Sequence, residues 1–162
     1  MHVFETEWGW IALAATHAGL SRASLPRRTR TAALAAIGGS EADLAKPTHL
    51  LRAAEQQMRD YLAGNRARFD FPLDLRWATP FQRRVLLVVA ALPRGHTASY
   101  GEIAARAGSP GAARAVGQAM ARNPLPLIIP CHRVVAADGS LGGFGGGRAL
   151  KRKLLAHERD GG

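Results

Sequence analysis

The chain has 162 residues, 47% of them hydrophobic, which suits one compact domain or two small ones, and it contains no apolar run long enough for a membrane span. It carries 22 Lys and Arg against 12 Asp and Glu, a formal charge of +10. That balance favours a polyanion, nucleic acid before an anionic membrane, although a solvated basic surface explains the charge alone equally well. The single cysteine excludes an internal disulfide framework and a cysteine-rich zinc site, and the six histidines lack the short paired spacing of metal ligands, so no metal or cofactor is expected.

In chain order, residues 1–7 have neither the basic start nor the apolar core of a secretory signal, which predicts a cytoplasmic protein. Residues 8–15 and 20–25 are predicted strands joined by a turn at His17-Ala18-Gly19. Residues 27–46 read as irregular. Residues 48–63 carry apolar side chains at Leu50, Leu51, Ala54, Met58, Tyr61 and Leu62, a helical spacing that Gly64 is placed to end. Phe69, Phe71, Leu73 and Leu75 alternate with polar residues or Pro72, which predicts a strand at a sheet edge, since proline cannot donate to a ladder. The chain divides near residue 77. Residues 1–76 form a predicted α+β domain in which no chemistry is evident.

From residue 79 the signals are denser. Thr79-Pro80-Phe81-Gln82 supplies a capping hydroxyl, a proline at the first helical position and a glutamine at the third, followed by a buried stripe of Phe81, Val85, Val88, Val89 and Leu92. Ser99 and Glu102 form a second predicted capping box for a helix over residues 100–107, with Gly108 as its stop. Ser109-Pro110 signals a third helix, on which Ala113, Val116, Gly117 and Met120 share one side while Arg114 and Gln118 face elsewhere. Two short helices around a Gly-Ser turn suggest a helix-turn-helix. Small residues on the second would let its backbone approach a DNA groove, though ordinary helix packing asks for small residues for the same reason.

Downstream, Leu127-Ile128-Ile129 reads as an apolar strand ending at Pro130, and the lone thiol, Cys131, follows beside His132 and Arg133. A thiolate is the nucleophile of cysteine chemistry, and cationic or proton-accepting neighbours lower a thiol pKa. An isolated cysteine is otherwise usually an inert core residue. Leu150, Leu154 and Leu155 mark a last helix, Arg152 and Lys153 lie on its solvated face, and residues 159–162 read as a frayed tail.

The run Arg114-Ala115-Val116-Gly117, then Asn123-Pro124, then Pro130-Cys131-His132-Arg133-Val134, resembles the active-site signature of the O6-alkylguanine-DNA alkyltransferases, and the resemblance extends from about Thr79 to Glu158. It implies an RNase H-like N-terminal α/β domain followed, over residues 77–162, by a mostly helical, winged-helix-like domain with a helix-turn-helix. The implied activity is irreversible transfer of the alkyl group of O6-alkylguanine, and of O4-alkylthymine, in double-stranded DNA to Cys131, by a monomer that acts once. In that family the damaged nucleotide is rotated out of the stack into a pocket. Arg114 then matches the finger that fills the vacated space, with Ala113, Gly117, Gln118 and Arg133 as further DNA-contacting positions. Tyr100 matches the tyrosine that contacts the flipped base. His132 would act as base through a water, oriented by Glu158, and Asn123 would link the recognition helix to the active-site segment. Val134, Phe144, Gly145, Gly146, Pro126 and Lys151 match substrate-pocket positions, Lys151 near the active-site loop.

Residues 142–148 match the family's substrate-binding loop with two departures: Phe144 stands where several relatives have tyrosine, and Gly145 where they have serine, so side-chain hydroxyl contacts to the lesion are missing. The loop lacks the Gly-Lys-Ser or Gly-Lys-Thr ending of a P-loop. Two competing functions are disfavoured. A non-reactive lesion-binding module of the alkyltransferase-like kind carries another residue where this chain has Cys131. A cysteine hydrolase needs an oxyanion-hole signature that is not visible, and adjacent Cys and His point apart in an extended chain.

Overall fold

A computed structural model describes residues 1–160 of the chain, which divides into two compact units, Met1–Arg76 and Trp77–Gly162. The architecture is mixed α+β. Among the described residues no helix is long and apolar enough to cross a membrane.

The first unit is built on a three-stranded antiparallel sheet of β1 (His2–Thr6), β2 (Gly9–Thr16) and β3 (Gly19–Ala23), with β2 in the centre. The β2–β3 hairpin agrees with the predicted strands, whereas β1 is not among them: its His-Val-Phe-Glu-Thr run pairs residue for residue with β2, Val3 opposite Ala12. Residues 27–46, expected to be irregular, hold helix α1 (Arg30–Ala36) and a 3-10 turn at Glu41–Asp43. The signals were present: the Thr29 hydroxyl accepts from the Ala32 amide, and Ala-Ala-Leu-Ala-Ala is a strong helix former. Ala33, Leu34 and Ile37 pack with Val3, Ala12 and Ala14 as a small core. Helix α2 (His49–Leu62) starts at the Thr48 cap, as its spacing predicts, and buries Leu51, Ala54, Met58, Tyr61 and Leu62.

The strand predicted through residues 69–75 is reduced to a single bridge between Leu73 and Leu20. Leu20 donates to the Pro72 carbonyl (2.9 Å) and Asp74 donates to the Leu20 carbonyl (2.8 Å), so the segment does lie along a sheet edge. Before that bridge, Phe69 makes tilted ring contacts with Tyr61 and Phe71, with centroids 5.4 and 5.9 Å away.

In the second unit, helix α3 (Pro80–Ala90) opens with the full capping box that Thr79 and Gln82 predict. Its buried positions are Val85, Leu86 and Val89, with Phe81 and Val88 only half-buried. A short strand, β4 (Ala98–Ser99), leads directly into helix α4 (Tyr100–Arg106), where Ser99 caps the Glu102 amide. Gly108, at φ +83°, ends α4: its amide and that of Ser109 return to the carbonyls of Ala105 and Ala104, a left-handed closure suited to glycine. Helix α5 runs over Ala113–Ala121, three residues later than Ser109-Pro110 suggests, because Ser109 is spent on the turn and accepts from the Ala112 amide (3.1 Å). Helices α3, α4 and α5 pack on one another.

Residues 127–129 are not the predicted strand. Leu127 adopts φ +72°, and the Ile129 amide returns to the Leu125 carbonyl at 2.8 Å, so the apolar run is wound into buried turns. Cys131–Arg133 forms one 3-10 turn, followed by β5 (Val134–Val135), which pairs parallel with β4. Helix α6 (Arg148–Asp160) packs against that turn. It remains helical through Arg159 and Asp160, where a frayed tail was expected; Gly161 and Gly162 lie outside the described residues.

Candidate functional site

Beside the thiol is a pocket of about 430 Å³, lined by Tyr100, Gly117, Met120, Ala121, Cys131, Gly143, Phe144 and Gly145. Four pieces of chain make it. The start of α4 gives Tyr100, one side of α5 gives Gly117, Met120 and Ala121, the 3-10 turn gives Cys131, and the glycine-rich loop gives the rest. The turn exists because Pro130, which has no amide hydrogen, follows the wound apolar segment, and the Cys131 amide bonds to the Ile129 carbonyl at 2.7 Å. Tyr100 and the loop are in close register: a Cβ on Gly142, at φ +69°, would sit 3.0 Å from the Tyr100 hydroxyl oxygen, so only glycine fits there without displacement.

Cys131 is 8% exposed, and burial pushes its thiol above the ordinary range; the hydrogen bond with the Asn123 side chain and the nearby Lys151 charge offset this in part. This reverses the expectation from the neighbouring cations, since desolvation outweighs them. The resting group is a thiol. Next to it, His132 is fully buried and its Nε2 lies 2.6 Å from Glu158 Oε1. Burial lowers its proton affinity despite the carboxylate, so the imidazole is neutral at neutral pH. With Nε2–H donating to the carboxylate, Nδ1 carries the free lone pair, and that buried atom has no hydrogen-bond partner among the described residues.

Arg133, expected at a DNA surface, is instead 4% exposed and grips the same carboxylate. Its Nε and Nη2 donate to Glu158 at 2.7–3.1 Å, and Nη1 donates to the Leu92 carbonyl at 2.6 Å. The change follows from the 3-10 turn, which directs three successive side chains to different sides of the segment and sends Arg133 inward. Lys151 is likewise buried: its Nζ donates to the carbonyls of Val134 (2.7 Å) and Gly143 (3.3 Å), tying α6 to the loop, so it holds the pocket wall and does not reach out to phosphate.

Asn123 bridges the end of α5 and the active-site turn, donating from Nδ2 to the Ile129 carbonyl (2.8 Å) and accepting at Oδ1 from the Leu125 amide (3.0 Å). Tyr100 is half-buried, and burial raises its phenol above the ordinary value of 10.0, so it is a hydrogen-bond donor. Of the expected pocket residues, Phe144 and Gly145 line it; Val134 and Pro126 are buried and, like Gly146, are not part of the lining. Met120, Ala121 and Gly143 line the pocket without a motif of their own to mark them, although the helical spacing puts Met120 on the same side of α5 as Gly117. Arg114 and Gln118 are exposed on α5 and Ala113 is half-buried beside them. The unit Trp77–Gly162 holds twelve of the 22 Lys and Arg but four of the 12 Asp and Glu, and thus +8 of the formal +10.

Residues 80–160 match the family described as 6-O-methylguanine DNA methyltransferase, DNA binding domain. A methylated-DNA–protein-cysteine methyltransferase of Mycolicibacterium paratuberculosis is 52% identical over 106 residues, 65% of this chain and 64% of that protein, so the match spans somewhat less than two thirds of the relative's length. The constitutive enzyme of that name from Bacillus subtilis is 45% identical over 115 residues, covering 70% of this chain and 69% of its own. A crystal structure of Mycobacterium tuberculosis OGT in complex with DNA superposes with a TM-score of 0.81 at 38% identity, over 98% of this chain and 92% of that one.

Proposed function

The chain belongs to the 6-O-methylguanine DNA methyltransferase family, and from that premise we propose that it repairs duplex DNA by moving the alkyl group of O6-alkylguanine, and of O4-alkylthymine, onto Cys131 in one irreversible event. The observation that carries this reading is a buried thiol on a pocket wall beside a neutral histidine whose Nδ1 is unpaired and whose Nε2 is held by a carboxylate.

The steps follow from that arrangement. The nucleotide leaves the stack, because an O6 substituent inside a duplex is out of reach of a recessed thiol, and Arg114 on α5 fills the space. His132 Nδ1 takes the thiol proton through a bridging water while Glu158 stabilises the imidazolium that forms. Sγ attacks the alkyl carbon, the S–C bond forms as the C–O6 bond breaks, and the electron pair stays on the base. Tyr100 donates a proton to the departing guanine and recovers one afterwards, so the net proton moves from thiol to base. Asn123 holds the turn that carries the thiol, and Lys151 keeps the loop closed over the lesion. Phe144 offers no hydroxyl there, so backbone amides of the loop are the donors to the guanine oxygen.

The α+β unit Met1–Arg76 is read as RNase H-like, supported by its antiparallel sheet with α1 and α2. The unit from Trp77 is read as winged-helix-like, supported by the α4–α5 pair and the β4–β5 strands. The protein is read as a monomer and as cytoplasmic.

The test is to mix the protein with excess duplex carrying O6-methylguanine, then record intact mass and map the modified peptide. The expected result is a gain of one methylene on the Cys131 peptide, an equal amount of restored guanine, and no further repair, because a thioether is a poor leaving group and no second cysteine exists. Multiple turnover, or binding without mass gain, would overturn the reading.

A further inference from the structure

Helix α5 presents two adjoining arcs. Successive residues turn by about 100°, so Gly117, Met120 and Ala121, which line the pocket, share one arc, and Arg114, Gln118 and Arg122 share the next one round. The second arc is exposed at all three positions. Among the described residues neither Arg114 nor Arg122 has a side-chain hydrogen-bond or ion-pair partner, and residues 103–137 contain no Asp or Glu to supply one. The two arginines therefore stand at the two ends of the exposed arc, Arg114 before Gly117 along the helix and Arg122 after Ala121.

Arg122 also occupies the C-cap of α5, its amide bonded to the carbonyls of Gln118 and Ala119. A helix C-terminus carries partial negative charge and repels phosphate, and a cation at the cap reverses that locally. Eight residues of helix separate the two arginines by roughly 12 Å. One DNA strand presents a phosphate about every 3.4 Å of axis, so the pair can span roughly three to four phosphates.

We infer that Arg122 is a second anchor on the DNA backbone, holding a phosphate farther along the strand from Arg114, at the other end of the exposed arc of α5, so that the duplex is fixed at two points beside the pocket. This rests on the function proposed above and adds a positioning residue to it. Arg122 touches no reacting atom; it fixes where the duplex lies relative to the pocket.

The experiment measures affinity for undamaged duplex across a salt series for the parent protein, Arg122→Ala, Arg122→Lys and Arg152→Ala, the last removing an exposed cation from α6. Losing one phosphate contact lowers the slope of log K against log salt by about 0.9, equivalent to roughly threefold in salt sensitivity between 50 and 200 mM. That fall is expected for Arg122→Ala, with most of it restored by lysine, which serves a phosphate as a point charge. Arg152→Ala should show none. In repair of a lesion-bearing duplex, Arg122→Ala should slow the second-order rate while keeping the limiting rate at saturating DNA. An unchanged slope in Arg122→Ala, or an equal fall in Arg152→Ala, overturns the inference. Failure of the parent protein to transfer an alkyl group would sink the proposed function, while the slopes on undamaged duplex would still decide Arg122.

Discussion

Replacing Glu158 by glutamine separates what the buried cluster does for chemistry from what it does for folding. The carboxylate receives His132 Nε2 at 2.6 Å and two nitrogens of Arg133, all away from water. Glutamine keeps one acceptor oxygen but turns an NH2 toward the guanidinium and strands its charge. Breaking a buried pair costs about 3–5 kcal/mol, and because one bond survives, the lower end applies, roughly 6–12 °C in Tm for a chain of this size. The chemical loss is separate: the imidazolium formed during transfer has lost its counter-charge, which should slow the step on the order of 100-fold. The assay is single-turnover transfer from free O6-benzylguanine, which needs no DNA, followed by intact mass well below the variant's Tm. A second protein, Arg133→Met with Glu158→Gln, removes the stranded cation, so its Tm should recover while its transfer rate stays low. Transfer within a few-fold of the parent by the folded single variant, or recovery of rate together with Tm in the double variant, would refute a chemical role for Glu158.

Cys131→Ser should abolish transfer and leave duplex affinity nearly intact, since no exposed cation is changed; any residual alkylated protein by mass would refute the assignment of the nucleophile. Arg114→Ala should slow repair of duplex substrate more than transfer from the free benzylated base, by roughly 10–100-fold if it offsets a few kcal/mol of unstacking, and equal losses on both would mean that it serves the pocket or the fold. The pH dependence follows from two directions of shift. His132 is held below the ordinary imidazole value of 6.5, so the unfolded chain binds the extra proton first as pH falls: stability is full above 6.5 and declines below it, and the transfer rate declines at still lower pH as the folded imidazole protonates. Cys131 is held above 9.0, so its contribution to stability is complete below pH 9 and is lost as pH rises beyond it. A rate that climbed steadily with pH between 7 and 9 would instead mean that the thiol must lose its proton to solvent before attack, without His132 as its base.

Legibility varied along the chain in ways that have physical causes. Helix starts were readable wherever a hydroxyl residue caps a following amide, as at Thr48, Thr79 and Ser99, because capping is local. The same cue at Thr29 is obscured by the arginines around it, and β1 is hidden because Val3 and Phe4 are adjacent and both buried, which leaves no alternation to read. Residues 127–129 and Arg133 are misread for different reasons: an apolar run of three cannot distinguish a strand from buried turns, and the place given to Arg133 at DNA comes from the motif match, which says nothing of its burial. The Cys131–His132–Glu158 set was accessible through the motif, whereas the pairing of Arg133 with Glu158, across 25 positions, depends on α6 returning to the turn. The rise in the thiol pKa was likewise hidden, because neighbours in sequence say nothing of desolvation.

The uneven division of charge, +8 of the +10 in the unit that carries the pocket, bears on how fast lesions are found. A reagent used once has no turnover to hasten, so its output is limited by encounters. A positive field concentrated around the reactive half raises the local concentration of DNA there and speeds its capture, an advantage that fades with rising ionic strength. The same field holds the protein weakly on undamaged duplex, where sliding turns a three-dimensional search into a partly one-dimensional one. Basic residues remote from Cys131 therefore set the pace of repair without touching its chemistry.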